Sequence, residues 1–431
     1  MMAAAVERCA GIDVGKTFLA VTVMCGPLSE EPTVEQRRYG TNVGDLEQLR
    51  QWLLTQGVTH GVMESTGSYG KPIFNVLEGH VKVYLANSQE VKNRRGHKTD
   101  NKDGWWLAHL LRHAMIRPSF IPPRAIRELR DLTRRRKKLI WQGTAGKNRI
   151  QKVLEDANVK LGNVLSDLFG VSGQLMLEAL LEGKQTTAEI AALARRRAKT
   201  KIPEIEAALA GHQMSDHHRR MIRYSLDHMQ FLTAQLEKLD ADIEQQIRQA
   251  GLQKDWDLLP SLPGVLQISA AAILAETGAD MTCFPTAGHL ASWAGVCPGN
   301  NESAGRQMST RTTRGNPWLR STLTECAWAA AAKKNCFLKD EFWRISTKQG
   351  GKKAPAVVAV AHTLLRLAYH ALARQQPFQD RSTPTELTTA QKEKLIRHHV
   401  RRLGKLGIPV HHLTVCSKRN SKKAEGDPAP A

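Results

Sequence analysis

The chain is short of paired cysteines, of long apolar runs and of acidic residues, and each shortage excludes a class of protein. Its seven cysteines contain no Cys-x-x-Cys pair and follow no regular framework. A disulfide-stabilised secreted domain is therefore excluded, and reduced thiols are predicted. The first residues also lack the basic and apolar parts of a signal peptide. Together these features predict a cytoplasmic protein.

A membrane-spanning segment is not predicted either. The most apolar late segment, residues 354–373, is interrupted by His362, Arg366 and His370. A buried or amphipathic helix fits this pattern better than a membrane span. No membrane partner is expected.

The shortage of acids leaves a strongly basic chain. Lys and Arg number 62 against 41 Asp and Glu, which gives a formal net charge of +21. Such an excess usually indicates a polyanionic partner, most often nucleic acid, although a merely soluble basic protein is the alternative. Hydrophobic residues make up 41% of the 431 residues, enough for two or three packed domains.

The fold class predicted is α/β followed by all-α. The first hundred residues alternate β-like and helical runs, which predicts a layered α/β domain. Strands are expected at Arg8–Val14, 18–24, 61–64 and 81–85, and helices at 46–54 and about 69–78. From Pro122 to about residue 250 helix formers dominate, and a third, mainly helical region begins near Trp256. The predicted domains are 1–120, 121–252, 253–375 and a polar, partly disordered tail at 376–431.

A coiled coil or a long packed helix is predicted at the end of the middle region. Its apolar residues recur every three or four positions, at Ile222, Leu226, Met229, Leu232, Leu236, Leu239, Ile243 and Ile247. Self-association through this seam is favoured slightly over packing within the chain.

Four acidic residues are candidate metal ligands. Asp13 ends an apolar strand, Glu64 ends another, and Asp100 and Asp103 lie three apart, hence on one face of a predicted helix. Acids at strand ends and on an adjoining helix can converge above a sheet, where Mg²⁺ or Mn²⁺ would relieve their repulsion. Two such ions would activate a nucleophile and stabilise a leaving oxygen at a phosphodiester. Taken singly, each acid is more often a solvated surface charge.

Two other ligand motifs are weaker. Residues 10–17, AGIDVGKT, fit a loose phosphate-binding loop, but a strand and not a helix is predicted after them. His398, His399, His411, His412 and Cys416 fit no common zinc spacing.

A candidate nucleophile lies in a loop rich in Gly, Asn and Arg at residues 293–320. Ser303 lies inside it, and Arg306, Arg311, Arg314 and Arg320 surround it with positive charge. A serine among arginines could attack a phosphodiester, since guanidinium groups stabilise the charge that develops on the phosphoryl oxygens. The alternative is a loop in which Ser303 only donates a hydrogen bond to a phosphate.

Two basic groups are candidate nucleic-acid contacts. The stretch Arg124–Lys152 is dominated by cations and is expected to need phosphate partners. A second group lies directly before Asp100, where it could hold a substrate backbone over the metal ions. A solvated basic face is the alternative for both. The residues predicted to bind nucleic acid are Arg94, Arg95, Lys98, Arg134, Arg135, Arg136, Lys137, Lys138, Arg306, Arg311 and Arg314.

In this order, the motifs resemble the DEDD transposases of insertion-sequence family one hundred and ten, the bridge-RNA-guided recombinases. The resemblance covers roughly residues 8–375. It is carried by GIDVGK with Asp13, GVMESTGSYG with Glu64, KTDNKD with Asp100 and Asp103, LPGV, the segment GHLASWAGVCPGNNESAGR with Ser303, and RGNPWLR.

The resemblance implies an RNase H-like, RuvC-like first domain in which the four acids bind Mg²⁺. It also implies a second transposase domain in which Ser303 attacks DNA and becomes covalently attached to it. A structured guide RNA would pair with the element ends and the target DNA, and the composite site would form in a dimer or tetramer. The function expected is therefore that of a DNA transposase or recombinase. A metal-dependent junction-resolving nuclease that uses water, and a non-catalytic nucleic-acid-binding protein, are the alternatives.

Overall fold

The computed structural model describes residues 5–64, 67–86, 100–116, 119–299, 301–303, 306–309 and 311–380, together with a few positions between 393 and 403. For Asp100, Asn101 and residues 301–303 and 306–309, the structure describes the backbone alone. The predicted contacts Arg94, Arg95 and Lys98 lie outside the described residues. So does most of the tail beyond residue 380, including His398, His411, His412 and Cys416 of the predicted cluster, whereas His399 is exposed.

A mixed five-stranded sheet forms the first domain. Its strands run in the order β3-β2-β1-β4-β5, antiparallel from β1 to β3 and parallel from β1 through β4 to β5. The strands are β1 (Arg8–Val14), β2 (Phe18–Cys25), β3 (Thr33–Gly40), β4 (His60–Glu64) and β5 (Lys82–Ala86). The predicted α/β domain is confirmed. A phosphate-binding loop would require a helix after residues 10–17, but β2 follows them, so this motif is not such a loop.

Helices cover both faces of this sheet because its central strands are apolar on both sides. On one face α1 (Val43–Thr55) and α2 (Gly70–Leu77) pack against Ile12 and its neighbours. On the other face α3 (Asp100–Arg112) packs against Cys9 in β1 and Val62 in β4. Alternate residues of β1 therefore face different helices.

The rest of the described chain is mostly helical, as predicted. The helices are α4 (Arg124–Asp156), α5 (Leu161–Val164), α6 (Val171–Glu182), α7 (Thr187–Ala192), α8 (Ile202–Leu209), α9 (Asp216–Gln249), α10 (Gln253–Leu258), α11 (Gln267–Thr277), α12 (Ala287–Ala294), α13 (Pro317–Ala332), α14 (Phe337–Lys348) and α15 (Lys353–Arg374). A hairpin of β6 (Asn301–Ser303) and β7 (Arg306–Ser309) lies between α12 and α13.

The two longest helices, α4 and α9, pack antiparallel against each other. Gln246 near the end of α9 donates to the carbonyl oxygen of Ala125 at the start of α4 (3.3 Å), and His218 at the start of α9 contacts Asp156 at the end of α4 (3.0 Å). The predicted apolar seam of α9 is buried or half-buried within the chain, where it packs into two apolar cores. The seam therefore serves intramolecular packing, the alternative that the sequence favoured less, and oligomerisation stays a prediction.

Two apolar cores meet along this helix pair. The first half of α4 and the second half of α9 pack with the helices from α10 to α15, whereas their other halves enclose a separate core with α5 to α8. Helices α4 and α9 thus contribute residues to both cores.

Helix α15 is the one described helix that is long and apolar enough to cross a membrane by length and composition. Half of its most apolar window is buried in the largest core, against α13 and α14. A core helix passes the same test, and the burial agrees with the helix predicted here.

Candidate functional site

Asp13 and Glu64 lie on the α3 face of the sheet. Gly11 in β1 contacts the backbone of α3, and Val62 in β4 belongs to the apolar cluster under that helix. Because side chains alternate along a strand, Asp13 and Glu64, each two residues further on, face the same side. Both are partly exposed.

The two acids also lie at the same edge of the sheet. Strands β1 and β4 are parallel neighbours with Ile12 opposite Met63, so Asp13 and Glu64 follow as adjacent positions at their carboxyl ends. Neighbouring strands lie about 4.8 Å apart. The strand register therefore places these two acids side by side at one edge of the sheet.

Helix α3 brings the second pair of acids to this edge. It runs antiparallel to β1, since Gly104 lies at Gly11 while Ala108 accepts a hydrogen bond from the Cys9 thiol (3.5 Å). Its first turn, which carries Asp103, therefore points toward the carboxyl end of β1. Asp103 is partly exposed. Asp100 begins the helix one turn earlier, and its side chain lies outside the described residues.

Glycine allows the helix to lie directly on the strand. A Cβ on Gly11 would be 2.1 Å from the carbonyl oxygen of Gly104, and a Cβ on Gly104 would be 3.1 Å from the carbonyl oxygen of Ala20. Any side chain at Gly11 would displace α3 together with Asp103. The position of Asp103 beside Asp13 and Glu64 thus depends on the close packing of the α3 backbone on the β1 backbone at Gly11 and Gly104.

Arg112 anchors the other end of α3, although it was not among the residues predicted from the sequence. Its guanidinium is only 1% exposed and donates to the carbonyl oxygens of Val6, Glu7, Gly26, Pro27 and Glu30 at 2.6–3.3 Å. These bonds join the end of the helix to the residues just before β1 and just after β2, at the open end of the β1–β2 hairpin. An arginine in the apolar run WWLAHLLRHAM was the available signal.

The described side chains do not by themselves complete a metal site. Carboxylates are the oxygen donors that suit Mg²⁺ or Mn²⁺, and Asp13, Glu64 and Asp103 share one edge. However, among the side chains described, no three His, Cys, Asp or Glu residues are grouped closely enough to hold a metal ion. The donor chemistry fits such an ion, and full convergence of the four acids stays a prediction.

Glu64 also borders a cleft between the first domain and α4. The cleft has a volume of about 320 Å³ and is lined by Glu64, Phe74, Phe120 and Arg127 among others. Arg127 of α4 pairs with Glu78 (2.7 Å) and stacks on the Phe74 ring at 4.9 Å. The Arg127 side chain holds the pKa of Glu78 below its usual range. The basic helix α4 therefore forms one wall of this cleft, next to Glu64, a candidate metal ligand.

Ser303 lies at the tip of a β-hairpin, where the sequence predicted a shaped loop. It pairs with Arg306 across the turn, and the side chains of both lie outside the described residues. The base is closed by the Pro298–Thr312 bridge. Nearby, Gly295 and Gly315 touch, and a Cβ on Gly315 would be 2.3 Å from the nitrogen of Gly295. The hairpin therefore extends from a closely packed base formed by the Pro298–Thr312 bridge and the Gly295–Gly315 contact.

A buried carboxylate ties this base to α4. Glu276, 2% exposed, accepts bonds from Arg134 (2.7 and 2.8 Å) and from the Asn316 amide (2.6 Å), and Arg130 lies 3.3 Å away. Asn316 in turn caps α13 through the backbone N–H groups of residues 318 and 319. Glu276 was not predicted from the sequence, where it stands at the end of an alanine-rich helix.

Three of the predicted nucleic-acid contacts in α4 have acidic partners inside the chain. Arg134 pairs with Glu276, Arg136 with Asp240, and Lys137 with Glu325. Distant acids therefore offset part of the charge of this helix, and its need for phosphate partners stays a prediction. Arg135 and Lys138 are exposed, as are Arg311 and Arg314 at the base of the hairpin, and their predicted role stays untested.

Comparison with known families agrees with this geometry. Residues 10–159 match a DEDD transposase model described as a transposase, and residues 256–341 match a model described as transposase IS116/IS110/IS902 family. The first range contains Asp13, Glu64, Asp100 and Asp103, and the second contains Ser303. No curated protein matches the chain.

The fold and the two matches define the chain as an enzyme of the DNA transposase class. Residues 10–159 are thus similar to the DEDD domain of IS110-type transposases, and residues 256–341, after the helical middle, are similar to the transposase domain of the IS116/IS110/IS902 family. The class implies DNA binding, and the DEDD domain indicates a divalent metal cofactor.

Proposed function

We propose that the protein cuts and rejoins DNA with Ser303 as the nucleophile and with Asp13, Glu64, Asp100 and Asp103 holding Mg²⁺ or Mn²⁺. The observation that carries the metal half of this proposal is the shared edge of Asp13, Glu64 and the first turn of α3. The strand order β3-β2-β1-β4-β5, antiparallel then parallel, supports an RNase H-like, RuvC-like identity for the first domain.

The proposed reaction has two steps at one phosphorus atom. The Ser303 hydroxyl oxygen attacks the scissile phosphate and its proton passes to solvent. The bond to the leaving deoxyribose oxygen breaks, and that oxygen takes up a proton from solvent. A phosphoserine ester then links the protein to one DNA end. In the second step a hydroxyl group of another DNA end attacks the same phosphorus and releases Ser303.

The charged groups around these residues have distinct roles in the proposal. A bound divalent ion would polarise the phosphoryl oxygens and stabilise the leaving oxygen. Arg306, which pairs with Ser303 across the hairpin, and Arg311 and Arg314 at its base would stabilise the charge of the transition state. The Glu276 network would keep that base fixed relative to α4.

The finer parts of the family resemblance belong to this proposal as well. A structured guide RNA would select the element ends and the target, and a dimer or tetramer would bring the serine hairpin of one copy to the acids of another. The basic surfaces at Arg135, Lys138, Arg311 and Arg314 are the described regions that support nucleic-acid contact.

Trapping a covalent intermediate tests the proposal. Labelled substrate DNA carrying the element ends is incubated with Mg²⁺, and protein–DNA adducts are resolved under denaturing conditions. We expect an adduct with the wild type and none with Ser303→Ala, whereas Ser309→Ala in the same hairpin serves as the matched control. We expect Asp13→Asn and Glu64→Gln to abolish cleavage, whereas Glu35→Gln on the exposed strand β3 keeps it.

Other outcomes separate the alternatives. Cleavage by Ser303→Ala without an adduct would favour a nuclease that uses water. DNA binding with no cleavage by the wild type in Mg²⁺ or Mn²⁺ would favour a non-catalytic binding protein.

A further inference from the structure

Exposed tryptophans lie on α4 and on α13, the helix that follows the serine hairpin. Trp141 in α4 is 50% exposed and Trp328 in α13 is 45% exposed. Tryptophan is usually well buried, and exposed rings of this size in a group mark contact sites. The tryptophan–arginine surface is the name given to the patch formed by Trp141, Trp318, Trp328, Arg314 and Arg320.

The two exposed rings are held in place from behind. Trp141 stacks on Trp318 with ring centroids 5.3 Å apart and planes 20° apart. Trp328 rests against the buried ring of Phe342 at 5.5 Å. Each ring is therefore supported by a neighbouring ring and is still about half exposed, so its use in binding costs little conformational entropy.

Cations border both rings. Lys138 lies one turn before Trp141 and places its ammonium 5.9 Å from the centre of the Trp318 ring. Trp328 lines a shallow groove along α13 that also contains the exposed Arg314 and Arg320. Glu325, an acid in that groove, is already paired with Lys137 (2.5 Å).

This combination is the chemistry of single-strand recognition. Base rings stack on aromatic side chains while cations hold the phosphates, and this mode needs unpaired bases, because a duplex hides the faces of its bases. A second copy of a chain with net charge +21 would bring like charge to this surface and is disfavoured.

We infer that the tryptophan–arginine surface binds unpaired nucleotides of a DNA strand opened beside the serine hairpin. The inference rests on the proposed function for its choice of DNA, because α13 begins directly after the base of the hairpin that carries Ser303. Trp318 and Trp328 are ten residues apart on α13, about 15 Å along the helix axis. A strand of a few nucleotides spans this distance.

Binding measured without cleavage tests the inference. The full-length Ser303→Ala protein is titrated into labelled oligo(dT), into duplex DNA of the same length and into oligo(U), with fluorescence anisotropy as the readout. We expect Trp141→Ala and Trp328→Ala each to raise the Kd for oligo(dT) by about tenfold, the effect of one lost base–aromatic stack. Duplex binding should stay unchanged.

Two variants control for structural damage. Trp141→Phe keeps an aromatic face and should recover most of the oligo(dT) affinity. Phe231→Ala removes a ring that is 57% exposed on α9 and does not belong to this surface, and it should change nothing. Quenching of tryptophan fluorescence by oligo(dT), reduced in Trp141→Ala, is the second readout.

Each contrary result overturns the inference in a different way. Unchanged oligo(dT) affinity in both alanine variants removes the surface from DNA binding. Equal losses for duplex and single strand assign the rings to general folding or phosphate contact. A loss confined to oligo(U) assigns the surface to RNA, and a changed molar mass of Trp141→Ala in light scattering assigns it to a protein partner. Because every titration uses the Ser303→Ala background, failure of the serine mechanism would leave these results interpretable.

Discussion

At the scale of single residues, the buried carboxylate of Glu276 connects several helices. Its carboxylate bonds Arg134 and Asn316 and approaches Arg130, so it joins α4, α11 and the cap of α13. Burial also lowers the pKa of Arg130, and the nearby Glu276 carboxylate opposes this effect. Removal of the acid leaves the mostly buried Arg130 and the partly exposed Arg134 without their carboxylate partner.

We expect Glu276→Ala to lower the free energy of unfolding by about 3–5 kcal/mol, the usual cost of breaking a buried ion pair from one side. Glu325→Ala, which removes the exposed partner of Lys137, should cost about 0–1 kcal/mol. Urea unfolding followed by circular dichroism compares the two. Similar losses would mean that the Glu276 network contributes no more than a surface pair.

The reactivity of Cys9 gives a second test at this scale. Burial raises the pKa of the Cys9 thiol to about 12, against the weaker opposing effect of Arg112. Because the reactive thiolate dominates only above the pKa, native Cys9 should resist iodoacetamide at pH 8 and react after denaturation. Exposed Cys283 should be modified first. Peptide mass spectrometry reads the order, and early modification of Cys9 would show that α3 does not stay packed on β1.

At the scale of elements, the contact of α3 with β1 decides where the acids lie. We expect Gly11→Ala to displace α3, because the added Cβ would overlap the carbonyl oxygen of Gly104. Both the melting temperature and Mg²⁺-dependent DNA cleavage should fall. Gly143→Ala in α4 is the matched control, since no atom lies within 4 Å of its added Cβ, and it should stabilise the helix by up to about 1 kcal/mol. Full activity in Gly11→Ala would contradict the proposed role of this contact.

The elements with a clear apolar period were predictable from the sequence. Strands β1, β2, β4 and β5 and helices α1 and α2 lie within one to three residues of their predicted ends. Strand β3, TVEQRRYG, was missed because it is an exposed, charged edge strand and lacks apolar alternation. The hairpin of Ser303 was read as a loop, since two strands of three and four residues carry too little pattern.

Long-range partners were beyond the reach of the sequence. The pairing of Arg136 with Asp240 depends on the antiparallel packing of α4 and α9, which a local pattern does not encode. The partner of the apolar seam of α9 was equally hidden. A seam that packs within a chain has the same apolar periodicity as one that packs between chains. The strand-end positions of Asp13 and Glu64 were predictable, because they follow from local strand patterns and from the rule that parallel strands share an edge.

For the whole molecule, charge is the dominant feature. The excess of Lys and Arg gives a net charge of +21, and part of it is neutralised inside the fold by Glu276, Asp240 and Glu325. Arg135, Lys138 and Arg314 are exposed, and under the proposed function these cations would contact a DNA backbone.

DNA affinity should therefore fall steeply with salt, by about 0.9 log unit per log unit of salt for each phosphate contacted. We expect Arg135→Ala to reduce the magnitude of this slope by about one contact at any DNA sequence. Arg248→Ala on α9, where the arginine is paired with Glu244, should leave the slope unchanged. Fluorescence anisotropy over a series of KCl concentrations provides the measurement, and equal slopes for Arg135→Ala and the wild type would contradict a phosphate contact there.

The most direct test of the central claim is the position of a divalent ion in crystals of the Ser303→Ala protein bound to DNA and soaked in MnCl₂. Anomalous scattering should give a manganese peak bounded by Asp13, Glu64 and the first turn of α3, and Asp13→Asn should lose it. An ion elsewhere in crystals of a protein that cleaves DNA, or a peak that survives Asp13→Asn unchanged, would contradict the account.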